Sequence, residues 1–112
     1  MIYEAAILSK AEITDDKVQV LKTLVGQVIQ EFEGEILLAD DWGVRTFPRS
    51  IERGKSKGRY LYFMYKGKTG VNLELERKLK ISEDVVRSLI VKMGEDRFEA
   101  DYVKTYVFPF KR

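Results

Sequence analysis

Two helical patterns set between four strand patterns predict an α+β sandwich, one four-stranded antiparallel sheet carrying both helices on one face. Three observations lead there. "ITDDKVQVLKTLVGQVIQEFEG" repeats Val18, Leu21, Leu24, Val25, Val28, Ile29 and Phe32 at helical spacing. "GVNLELERKLKI" returns to that spacing at Val71, Leu75 and Leu79. Between them "GRYLYFMYKG" alternates at period two, the signature of a strand.

The elements follow in order. Residues 2 to 9, "IYEAAILS", form a short apolar run bounded by polar residues, which predicts a buried strand. The first helix starts at Thr14, a capping residue. Asp15 and Asp16 suit the positive end of its dipole, and Gly34 offers a stop. Gly26 inside it costs about 1 kcal/mol relative to Ala, a cost that either close packing on a sheet or simple tolerance without purpose would explain. Residues 35 to 47, "EILLADDWGVRTF", read as a long strand bulged at Gly43, and residues 58 to 67 as the next. Gly54 and Gly58 read as flexible points in the hairpin loop between them. The second helix covers about 70 to 80, with Glu74 to Lys78 and Glu76 to Lys80 as i,i+4 pairs. "VVRSLIVKM", residues 85 to 93, is β-branched and strand-like.

Two right-handed crossovers joined by a long hairpin give the ferredoxin-like β-α-β-β-α-β arrangement, whose second sheet face is left open. Residues 1 to 93 are expected to form this domain. Residues 94 to 112 are expected to be an aromatic tail rather than a further element, with Phe98, Tyr102, Tyr106 and Phe108 packing on the domain or on a partner.

Charge is unevenly placed. The 112 residues carry 20 Lys and Arg against 18 Asp and Glu, a net of +2. Residues 45 to 68 hold eight basic side chains against one acid, a local +7, which leaves −5 on the remainder. A polyanion is the partner such a segment attracts. No Cys or His is present, which excludes disulfides, thiol nucleophiles and most zinc sites. No run approaches the roughly 18 apolar residues of a membrane span, and no targeting segment is visible, so a soluble intracellular protein is expected.

"ERGKSKGRYLYF", residues 52 to 63, contains a Gly-Lys-Ser, but Arg49 stands where a phosphate-binding Walker loop needs its first glycine, and a strand follows instead of a helix. Its cations, Arg53, Lys55, Lys57 and Arg59, instead suit a phosphate backbone. In the strand that follows, Tyr60, Tyr62, Met64 and Lys66 share one face and Arg59, Leu61, Phe63 and Tyr65 the other. Tyr60 and Tyr62 would therefore stand on the open face, suited to stacking on bases or on a protein. The central signature of the RNA-recognition motif is matched poorly, since Lys57-Gly58 is followed by Arg59-Tyr60-Leu61. The adjacent pairs Asp40-Asp41 and Asp15-Asp16 do not converge on a substrate, because neighbours on a strand face opposite ways and the second pair has a capping role.

Two stretches resemble the bacterial and organellar family of small-ribosomal-subunit protein S-six. "DWGVRTF" is similar to its second-strand pattern of glycine, any residue, a basic and a hydrophobic residue, and Ile51 matches a later isoleucine. "LERKLKISEDVVRSLIVK" is similar to its second helix, turn and fourth strand. The resemblance covers about residues 2 to 93. It implies a non-enzymatic structural role on the central domain of small-subunit rRNA, in a bacterial cytoplasmic or organellar ribosome, beside the partner protein S-eighteen. It implies RNA or partner contacts at Arg45, Arg87 and Lys92. The chain departs from the family at Pro48, Arg49 and Ser50, where a small residue, a tyrosine and often a proline are usual; Arg49 offers a phosphate contact in place of that aromatic.

The expected RNA contacts are thus Arg45, Arg49, Arg53, Lys55, Lys57, Arg59, Arg87 and Lys92. The expected partner contacts are Tyr60, Tyr62, Phe98, Tyr102, Tyr106 and Phe108. No cofactor, metal, membrane or small-molecule substrate is expected. The alternative is a module of the same fold that self-associates without nucleic acid.

Overall fold

The computed structural model describes residues 1–46 and 57–109. Four strands, β1 (Ile2–Lys10), β2 (Glu35–Thr46), β3 (Lys57–Lys66) and β4 (Val85–Gly94), form one sheet in the order β2-β3-β1-β4. All three pairings are antiparallel. Helices α1 (Asp15–Glu31) and α2 (Val71–Ile81) follow β1 and β3, as the periodicity predicts. Both pack on one face, where Val18, Leu21, Val25, Val28 and Ile29 of α1 and Val71, Leu75 and Leu79 of α2 meet Ala5, Ile7, Leu61, Phe63 and Tyr65 of the sheet. This is the ferredoxin-like arrangement.

Local details refine several expectations. Thr14 caps α1, its hydroxyl accepting from the Lys17 amide at 3.3 Å. At the other end the left-handed residue is Glu33, at φ 55°, and not Gly34. The Glu33 amide donates to Gln30 O and the Gly34 amide to Ile29 O, the double closure that satisfies the last carbonyls. Gly34 is required for space instead: a Cβ there would lie 2.0 Å from the Lys66 carbonyl oxygen. Gly26 has no such constraint, since a Cβ would make only an ordinary contact with Ile36 at 3.9 Å. Close packing therefore does not explain that glycine. Gly58 is a buried residue of β3 rather than a flexible loop point, and a Cβ there would meet Ser9 O at 2.5 Å. On α2, Glu74 pairs with Arg77 at 2.7 Å in place of the expected Lys78. Gly43 sits at a register shift in β2 at φ 78°, the expected bulge.

The second sheet face is not open along its whole length. After β4 the chain makes a short turn at Asp96–Phe98 and a third helix, α3 (Glu99–Thr105), in the segment expected to be a tail. Phe98, Tyr102 and Tyr106 are four residues apart, so a helix brings them to one side. Tyr102, Val103 and Tyr106 pack over Ile2, Tyr62 and Met64, with Leu37, Leu38, Trp42 and Met93 around them. Tyr102 donates to Met93 O at 3.2 Å, Lys66 pairs with Glu99 at 2.7 Å, and the N-terminal amine pairs with Asp96. Among the described residues no helix is long and apolar enough to cross a membrane.

Candidate nucleic-acid interface

The cations expected to bind RNA divide into four groups. Arg49, Arg53 and Lys55 lie outside the described residues. Lys57, Arg45 and Arg87 stand at one end of the sheet, the end from which the β2–β3 connection leaves. Lys92 is exposed on β4 beside Tyr3, five residues from Arg87 and so about 17 Å away.

Arg59 stands at the hairpin end too, opposite Val44 and Ser9, but on the helix face of the sheet. Its guanidinium is held by Asp41, with Nη2 2.5 Å from Oδ2 and Nε 3.2 Å from the same oxygen, and its Nη1 donates to Asp15 at 2.9 Å. The cap at Thr14 starts α1 where Asp15 can reach the sheet, and alternation sends Asp41 to the helix side while Asp40 faces α3. The Arg59 side chain is only 20% exposed. Both partners respond to this contact. Burial by itself pushes the Asp41 carboxyl up, but the hydrogen bonds from Arg59 and from the Gly43 amide, with the charges of Arg59 and Lys22, bring it below the usual range. The hydrogen bonds to Asp41 and Asp15 raise Arg59 still further. Arg59 is therefore a tie between β2, β3 and α1, contrary to its expected use as a phosphate contact. Its partners lie 18 and 44 residues away in the chain, a pairing that no local spacing signals.

On the face shared with α3, rings run in file. Tyr60 lies 5.9 Å from Trp42, Trp42 stacks on Tyr62 at 5.1 Å, and Tyr62 stacks on Tyr106 at 4.9 Å. Polar atoms pin the file. Trp42 Nε1 donates to the Tyr106 hydroxyl at 2.7 Å, which donates to Asp40 at 2.8 Å, and the Tyr62 hydroxyl donates to Glu4 at 2.6 Å. Burial, then the Glu4 contact, pushes the Tyr62 phenol well up.

Tyr62, expected on an open face, is only 4% exposed and cannot offer its ring to a partner. Tyr102 and Tyr106 are likewise turned onto the sheet, while Phe98 keeps 38% exposure, with Arg97 over its ring at 4.7 Å. Phe108 lies under the Arg45 guanidinium at 5.5 Å, and Arg45 Nε donates to Trp42 O at 2.8 Å. Tyr60 is half-buried beyond the reach of α3. Burial pushes its phenol up and the charge of Arg87 opposes that shift. The reading from sequence missed Trp42, whose place at the bulge is what lets it bridge Tyr60 and Tyr62.

Among the described residues no group of acids, histidines or cysteines could hold a metal. Fold and site together define a small α+β sandwich that presents guanidinium groups and aromatic rings at one end of its sheet. The comparisons with known proteins narrow that class. The model of the family described as Ribosomal protein S6 matches residues 2–92, and the chain belongs to that family. Small ribosomal subunit protein bS6 of Desulforamulus reducens is 32% identical over 93 residues, 83% of this chain and 97% of that protein. The bS6 of Pelagibacter ubique is 30% identical over 101 residues, covering 90% and 83%. The crystal structure of 30S ribosomal protein S6 from Thermotoga maritima superposes with a TM-score of 0.74 at 20% identity, over 92% of this chain and 94% of that one, which shows the fold. The chain is accordingly a structural, non-enzymatic constituent of the small ribosomal subunit, which fits a place on the cytoplasmic ribosome.

Proposed function

We propose that the chain binds the central domain of small-subunit rRNA through the end of the sheet that carries Arg45, Lys57 and Arg87, together with the partner protein S-eighteen. The observation that carries this reading is that those three cations stand at the one end of the sheet from which the +7 segment leaves, Arg45 and Arg87 on the face of Tyr60 and Lys57 on the other. Arg49, Arg53 and Lys55 belong to that segment and extend the same positive charge. Arg59 drops out of the contact set because two carboxylates hold it. Lys92, at the far end, serves as a comparison position. The chemistry is positional: cations neutralise phosphates and release counterions, with no bond made or broken. For the protein partner, Phe98 and the exposed Leu89 and Val91 of the edge strand β4 offer apolar contact.

The experiment is the salt dependence of binding to a central-domain rRNA fragment. Lys57→Ala and Arg87→Ala are each expected to lower the slope of log K against log salt by about 0.9, and Lys92→Ala to leave it unchanged. S-eighteen added to the wild-type protein is expected to tighten the complex. Unchanged slopes for both Lys57→Ala and Arg87→Ala remove this end of the sheet from the RNA. The exposed Leu89 and Val91 favour self-association as the second reading; a stable dimer in light scattering without RNA supports it.

A further inference from the structure

The aromatic part of this strip points to what kind of nucleotide it meets, an inference that rests on the RNA-binding reading above. In the register of the sheet, Gly43, Tyr60, Leu8 and Arg87 form one row, one residue from each strand. Leu8 is 4% exposed and supplies the floor. Gly43, the partner of Tyr60 across the strands, adds no side chain to the row, and among the described residues no atom lies within 4 Å of where its Cβ would be. Trp42 lies 5.9 Å from the Tyr60 ring. Arg45 on β2 and Arg87 on β4 bracket the rings from strands three spacings apart, about 14 Å.

Paired RNA conceals the faces of its bases, so cations alone would suffice to hold it. Rings set between two guanidinium groups match an unpaired nucleotide, whose base has a free π-face and whose neighbouring phosphates diverge on either side. The placement of charge on this face agrees. Asp40 and Glu4, the carboxylates that the tyrosines touch here, belong to the rows of Tyr62 and Met64, whereas Arg87 stands in the Tyr60 row and Arg45 in the Gly58 row beyond it. We propose that the Gly43–Tyr60–Leu8–Arg87 row binds one unpaired nucleotide of the RNA, its base stacked on Tyr60 beside Trp42 and its flanking phosphates on Arg45 and Arg87.

The test titrates the full chain with an unstructured ten-nucleotide oligouridylate and follows the emission of Trp42, the single tryptophan. Binding of the central-domain rRNA fragment is measured in parallel. Oligouridylate is expected to quench Trp42. Tyr60→Phe is expected to keep the affinity, and Tyr60→Leu to lower it by about tenfold or more with the salt slope unchanged, since stacking releases no counterion. Arg87→Ala, at an exposed side chain, carries the test even if Tyr60→Leu does not fold. It is expected to lower the oligouridylate slope by about 0.7. If the rRNA fragment binds but oligouridylate leaves Trp42 unquenched, or Tyr60→Leu binds both RNAs as the wild type does, the stacking site is overturned and the RNA-binding reading stands. If neither RNA binds in a salt-dependent way, both are overturned. Weakened binding of S-eighteen alone in Tyr60→Leu makes the strip a protein interface and also overturns the proposal.

Discussion

Replacing Arg59 by Ala separates a structural cation from an RNA-binding one. The substitution removes two close contacts to Asp41 and one to Asp15. The Asp15 side chain is 91% exposed, so that pair contributes at most a few tenths of a kcal/mol. Asp41 is different, because its side chain is 28% exposed and its partner 20%. Hydrogen bonds to a charged group contribute about 1.5–3 kcal/mol, and the remaining exposure moves the expectation toward the lower half of that range. Arg59→Ala is therefore expected to cost about 2 kcal/mol, or roughly 8–12 °C in Tm for a domain of this size. Asp41→Ala is expected to be non-additive with it, with a coupling of about 1–2 kcal/mol in a double-mutant cycle followed by urea unfolding. The salt slope for rRNA binding should not change in Arg59→Ala. Additivity of the two substitutions within about 0.3 kcal/mol, or a slope reduced by about 0.9, would refute the assignment of Arg59 as a tie.

The two glycines that flank the end of α1 should respond in opposite directions to Ala. Gly34→Ala drives a methyl into the Lys66 carbonyl and should cost about 3 kcal/mol or more, while Gly26→Ala, which has room, should gain about 0.5–1 kcal/mol; urea midpoints at constant m-value read both. The phenols predict the alkaline limb of stability. Burial raises both Tyr62 and Tyr65, and a raised folded-state pKa gives stabilisation that is complete below the unfolded value of about 10 and is lost as pH rises beyond it. Tyr62→Phe should accordingly show a shallower fall of Tm above about pH 10 than the wild type, and an identical fall would remove Tyr62 as a contributor.

The order of elements was legible because each core element carries its own period. Val18, Leu21, Val25, Val28 and Ile29 mark the buried face of α1, and all five are buried. Alternation in β3 likewise assigned Leu61, Phe63 and Tyr65 to the helix side. Helix α3 was harder to read because it has seven residues, no capping side chain and a proline close behind it. The four-residue spacing of Phe98, Tyr102 and Tyr106 was the signal available, and it has meaning only once a sheet face exists for those rings to cover.

The candidate site was legible as charge but not as geometry. Composition located the +7 segment, yet only the fold distinguishes Arg87, exposed in the row of Tyr60, from Arg59, folded against Asp41. Trp42 shows the same limit. A bulge at Gly43 was readable, but not that the shift would align the indole with Tyr62 and place its N–H on Tyr106. Long-range partners of this kind are set by strand register, which depends on the whole sheet.

The absence of cysteine from the chain permits a direct measurement of the central claim. A single cysteine introduced as Lys57→Cys can carry a tethered hydroxyl-radical source into the assembled small subunit, with Leu73→Cys, on the exposed face of α2, as the comparison. Strong cleavage in the central domain of the rRNA from position 57, and weak or no cleavage from position 73, is the predicted result. Cleavage from position 73 with none from position 57 would contradict the account, because it would turn the helices, and not the hairpin end of the sheet, toward the RNA.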